Sequence, residues 1–145
     1  MAFKFALATV LRLREIAEER EERLLLQIRQ QMAQSQHELV ELDARCTGVI
    51  AQRESELANQ IPATELQDSY SQISTLEERK KIVREHLAKL ETLRIQQMKI
   101  YETAHRDREV IEQIREEKLE HFRREEVRRE QHVMDDNFAA RKARR

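Results

Sequence analysis

Only one point in this chain is built to stop a helix. Pro62 is the single proline and Gly48 the single glycine among 145 residues, and the stretches on either side are dominated by Ala, Glu, Leu, Arg, Gln and Lys, all strong helix formers. Proline withdraws its own donor from the helical ladder and disfavours helical geometry in the residue before it. The segment Asn59-Gln60-Ile61-Pro62-Ala63-Thr64 therefore reads as a turn over about 60–64, with one helix over about 3–59 and a second over about 65–140. Thr64 followed by Gln67 has the capping-box spacing that starts a new helix.

Both predicted helices carry an apolar stripe at spacings of three and four, the mark of one buried face. In helix one it runs through Leu7, Val10, Leu11, Ala17, Leu24, Ile28, Met32, Leu39, Leu42, Cys46 and Val49, with an extra four-residue step near Ile28 and Met32 that reads as a stutter. In helix two it runs through Leu66, Tyr70, Ile73, Leu76, Val83, Leu87, Leu90, Tyr101, Ala104, Ile111 and Phe122. A short turn makes two such helices antiparallel neighbours, each burying its stripe on the other. The expected fold is all-α: a single antiparallel coiled-coil hairpin over residues 1–145. If it closes about Pro62, facing positions sum to roughly 125, which sets Phe3 near Phe122 and leaves the C-terminal part of helix two overhanging. Arg14, Gln31, Arg53, Lys80, Arg94, Gln97 and Arg108 interrupt the seam at or beside core positions, some of them laying aliphatic stems across it.

Composition narrows the function. Charged residues make up 38% and aromatics 4%, too little bulk for a three-dimensional core with an enclosed substrate site. One glycine excludes both the P-loop and the dinucleotide fingerprint. Glu102-Thr103-Ala104-His105 has the Glu-x-x-His form of di-iron bundles, but such sites need two of these motifs and two further glutamates; no metal and no cofactor are expected, and no catalytic residue. The lone Cys46 reads as packing. No apolar run is long enough to span a bilayer, so the chain reads as soluble and unprocessed, without direct membrane insertion.

The net charge is −1, yet residues 118–145 carry 9 basic and 6 acidic groups. Arg123, Arg124, Arg128 and Arg129 and the cluster Arg141, Lys142, Arg144 and Arg145 are interleaved with Glu125, Glu126, Glu130, Asp135 and Asp136. Alternating signs describe an ion-paired helix, whereas a phosphate footprint wants an unopposed cationic stripe. No nucleic-acid partner is expected; the chain reads as one that binds other proteins.

Three segments, in order, carry a family resemblance. The opening Phe3-Lys4-Phe5-Ala6-Leu7, continued by Val10-Leu11-Arg12-Leu13-Arg14-Glu15, resembles the start of the flagellar FliJ proteins. The run Tyr70-Ser71-Gln72-Ile73-Ser74-Thr75-Leu76-Glu77 and the ending Met134-Asp135-Asp136-Asn137-Phe138-Ala139-Ala140-Arg141-Lys142 are similar too. The resemblance implies a cytoplasmic component of the flagellar type III export apparatus, peripherally associated with the inner face of the cell membrane. It implies a stalk that inserts into the hexameric export ATPase and promotes its assembly and activity, that touches the cytoplasmic domain of the membrane export gate, and that has a chaperone-escort role involving export chaperones. By the stalk analogy the ring contacts would be Phe3, Leu7, Leu11, Arg12, Arg14, Phe122, Arg123, Arg124, Arg128 and Arg129. The gate contacts carried over are Leu42 and Leu76, while Arg45, Gln72 and Arg79 depart from the family pattern. Two other readings are a stalk of a virulence-type secretion system and a structural coiled coil that dimerises through the same stripe.

Overall fold

The computed structural model describes every residue except Ile61; that part of the expected turn lies outside the described residues. Two helices account for nearly all of the chain, α1 over Ala8–Ala58 and α2 over Ala63–Ala143, and they pack against each other with no strand among the described residues. By its internal contacts the chain divides into two compact units. A terminal unit joins Met1–Arg20 to Tyr101–Arg145, and a central unit spans Glu21–Ile100.

Helix one begins at Ala8, not at Phe3. A turn over the preceding residues, with the Ala8 amide donating to the Phe5 carbonyl at 3.2 Å and Leu11 to Leu7 at 2.9 Å, leads into it. Phe3 and Phe5 thus keep apolar side chains outside the helical ladder. At the other end, Asn59 donates to the Glu56 carbonyl at 3.0 Å and Gln60 takes a left-handed conformation, with φ 52°. That is the conformation in which helices commonly terminate, usually on a glycine. The capping box at Thr64 is not formed, because α2 starts at Ala63 and Thr64 sits inside its first turn. The Pro62 carbonyl instead accepts from Glu65 at 3.1 Å and from Leu66 at 3.4 Å; proline's fixed φ already suits the entry to a helix.

Burial follows a cleaner rule than the apolar residues alone suggest. The shielded positions of α1 include Leu11, Glu18, Glu21, Leu25, Ile28, Met32, Ser35, Leu39, Leu42, Cys46, Val49 and Arg53, which from Glu18 onward follow alternate steps of three and four without a stutter. Leu25 is 4% exposed while Leu24 is 39% exposed, so the stripe expected through Ala17 and Leu24 is shifted by one residue. The cause is that Glu18 and Glu21 occupy seam positions, which an apolar-only reading skips. Helix two keeps the same heptads through Leu66, Ile73, Lys80, Leu87, Arg94, Tyr101 and Arg108 and through Leu76, Val83, Leu90, Gln97, Ala104 and Ile111. Tyr70, expected on the stripe, is exposed. It flanks the seam, with Arg53 donating to its hydroxyl at 2.6 Å and the same guanidinium 4.0 Å above its ring.

The packing is antiparallel in each unit. In the central unit Glu21 meets Gln97, Glu38 meets Arg79 and Asp43 meets Lys80. In the terminal unit Phe3 meets Phe122, Arg14 meets Asp107 and Glu18 meets His105. No helix is long and apolar enough to cross a membrane among the described residues.

Candidate docking surfaces

The terminal unit contains all the residues marked out for contact with a ring. Phe3 packs its ring on Phe122 with centroids 5.5 Å apart and a 55° tilt, and the Lys118 ammonium lies 5.9 Å from the Phe5 centroid. Leu11 is 7% exposed and Leu7 half-buried. Phe3, Leu7, Leu11 and Phe122 are thus occupied in holding the N-terminal segment against α2 and offer a partner little apolar surface. Arg12 and Arg14 are exposed; Arg12 is 3.5 Å from Glu15 on its own helix, and Arg14 is 3.3 Å from Asp107 across the seam. Along α2, Arg124 pairs with Glu120 and Arg128 with Glu125 at 3.3 Å. Arg123 and Arg129 are exposed and have no carboxylate within ion-pair distance among the described residues. From Val127 onward every residue is exposed, including Val127, Val133, Met134 and Phe138.

A polar clamp that apolar patterning does not mark lies in the same unit. Glu18 reaches from α1 to α2, where one carboxylate oxygen is held by Arg108 and the other lies 2.9 Å from His105 Nδ1. The far ring nitrogen of His105 is 2.9 Å from Glu109, and Arg108 also binds Glu112. The hydrogen bond to Glu18, together with the nearby charges of Glu109 and Glu18, raises the His105 pKa above its ordinary 6.5 against the pull of burial and of Arg108. Glu102 of the Glu102-x-x-His105 motif is exposed, and among the described residues no group of three or more His, Cys, Asp or Glu side chains is set to hold a metal ion.

In the central unit, a groove of about 670 Å³ runs between the helices, lined by Arg45, Gly48, Val49 and Gln52 from α1 and by Ser71, Gln72, Thr75 and Leu76 from α2. Small residues from both helices, Gly48, Ser71 and Thr75, leave room for it. A Cβ placed on Gly48 meets nothing within 4 Å, and Thr75 turns its hydroxyl back to the Ser71 carbonyl at 2.9 Å. Leu76 opens onto this groove. Leu42 does not: at 5% exposure it belongs to the seam, and no partner reaches it while the helices are closed. Of the two leucines marked for gate contact, the structure therefore presents one.

Next to the groove the seam contains a charged group. Lys80 is 7% exposed, and its ammonium donates to Asp43 at 2.8 Å and to Glu77 at 3.0 Å. The hydrogen bond it donates to Asp43, and then the one to Glu77, hold the lysine pKa above its ordinary 10.5. The same contact holds the Asp43 carboxyl below its usual range. Cys46 is buried as a free thiol, 3.9 Å from the Glu77 carboxylate.

The sequence model of one family, described as "Flagellar FliJ protein", matches residues 3–145 of this chain. No curated protein and no solved structure matches it.

Proposed function

This chain belongs to the flagellar FliJ family, components of the flagellar type III protein export apparatus, and from that membership we propose that it serves as the non-enzymatic central stalk of the hexameric export ATPase. In this reading the C-terminal part of α2 enters the ring and promotes its assembly and ATP hydrolysis. The observation that carries it is the run from Val127 onward, exposed at every position, preceded by Arg123 and Arg124 with Glu120, Glu125 and Glu126 beside them. A helix that is charged all round and apolar at isolated points can turn in a ring without adhering to one wall; Arg12, Arg14, Arg124 and Arg128 can exchange their weak surface pairs for acidic groups on ring loops, and the exposed Arg123 and Arg129 can meet such groups directly. Phe3, Leu7, Leu11 and Phe122 contribute by fixing the base from which that helix projects.

The central groove is the companion surface for the cytoplasmic domain of the export gate, with Leu76 and Val49 as its apolar floor and Arg45 and Gln72 giving it a rim unlike the family's apolar pattern. Leu42 supports it from within the seam. A cytoplasmic location at the inner face of the membrane, and an escort role toward export chaperones, accompany this reading.

Titrating the full chain into the cognate export ATPase is the test. Ring assembly and hydrolysis rise in proportion to the stalk added, and a chain ending at Glu126, which retains the Phe3–Phe122 contact, loses that effect. No change at saturating full-length chain overturns the proposal, and full stimulation by the shortened chain overturns the assignment to the projecting helix. A virulence-type stalk or a coiled coil that dimerises has less support. The family match is to a flagellar protein, and the seam stripe expected to mediate dimerisation is already buried within each unit.

A further inference from the structure

We propose that His105 is a protonation-operated latch between α1 and α2 in the terminal unit, closed by the imidazolium ring and loosened by the neutral one. Its two ring nitrogens face carboxylates from two directions, Nδ1 toward Glu18 on α1 and Nε2 toward Glu109 on α2, each at 2.9 Å. Only the imidazolium has an N–H for both. The neutral ring must turn an unprotonated nitrogen toward one of the two carboxylates, where lone pair meets negative charge. Glu18 is the element that matters, because its side chain is 13% exposed and it crosses the seam.

The surrounding charges act on the ring from both helices. From α1 the ring faces Glu18, with Arg14 on the preceding turn engaged by Asp107. From α2 it faces Glu109, with Tyr101 stacked at 5.9 Å, and Arg108 with its second partner Glu112. The Arg108 guanidinium comes within 3.5 Å of Nδ1 and opposes protonation, while the carboxylates favour it. Arg108 binds the second oxygen of Glu18, a contact that does not involve the His105 proton, so in this proposal the latch loosens without falling open. His37 offers the contrast: it pairs with Glu41 at 3.2 Å on its own exposed helix face and ties nothing across the seam.

The direction follows from linkage. A histidine whose pKa is raised on folding stabilises the folded form fully below the unfolded value, and that contribution is lost as pH rises through the folded value. The base of the projecting helix is accordingly tighter below the folded pKa of His105 than above it. This inference concerns the chain alone and stands whether or not the stalk proposal does.

Two measurements on the full chain test it: the NMR titration of the His105 ring, and hydrogen-exchange protection of the amides from Leu11 to Arg20 at about pH 5.5 and about pH 8, corrected for intrinsic exchange. His105 should titrate above 6.5, and protection should fall severalfold toward the higher pH in the native chain. His105→Gln should remove that fall, and His37→Gln should preserve it. Glu109→Gln keeps the contact with Glu18 and should lower the midpoint of His105. A midpoint at or below 6.5, a midpoint indifferent to Glu109→Gln, or the same loss of protection in His105→Gln overturns the latch.

Discussion

The central and terminal units use the same heptads to opposite ends. In the central unit the seam is closed by Leu25, Leu42, Cys46, Val83 and Leu90, all below 6% exposure, with one lysine admitted and answered by two carboxylates. In the terminal unit Leu11 is the one apolar side chain buried to a similar degree among the described residues, and the neighbouring core positions hold Glu18 and Arg108. Apolar closure is insensitive to pH and strengthened by excluded salts, whereas ion-paired closure depends on protonation and is screened. The two units are therefore closed by different means: apolar burial in the central unit and, in the terminal unit, ion pairing at the base of the exposed run of α2.

The largest effect expected from breaking this contrast is in the middle. Leu90→Ala removes a side chain 3% exposed and should cost about 2 kcal/mol or more, read from the urea midpoint at unchanged slope. Phe122→Ala should cost less, about 1 kcal/mol, since the Phe3–Phe122 pair is a half-buried contact. Its clearer signature is a loss of exchange protection confined to the segment before Thr9, leaving the central amides untouched. Equal loss in both units would remove the distinction drawn between them.

A smaller effect concerns the turn. Gln60 at φ 52° carries a side chain where glycine is preferred, so Gln60→Gly should stabilise the chain by about 0.5–1 kcal/mol, visible as a raised thermal midpoint. The smallest is electrostatic. The Asp43 pKa is depressed by Lys80, so its contribution is present above the unfolded value and is lost only as pH falls through the folded value, below 3.8. The raised Lys80 pKa keeps that group's contribution until pH passes above 10.5. Between those limits the melting of a Lys80→Met chain and the native chain should run parallel with pH, and a divergence near neutrality would contradict it.

The location of the break at Pro62, the two long helices, their antiparallel pairing and the near register of Phe3 with Phe122 were all legible in the residues, because proline, helix propensity and apolar periodicity act locally and repeat along the chain. The heptad phase was not, since it passes through Glu18, Glu21 and Ser35, and polarity alone cannot say whether a glutamate lies on the flank or in the seam. That is settled by what stands opposite: His105 and Arg108 for Glu18, Gln97 for Glu21. The same holds for the docking surfaces. Leu42 and Leu76 look alike in sequence, yet the tertiary structure buries one and opens the other onto a groove left by small side chains from both helices. Periodicity determined that a face would be buried; only the partner helix decided which charged residues could be buried with it, since a charge tolerates a seam only where its counter-charge is already in place.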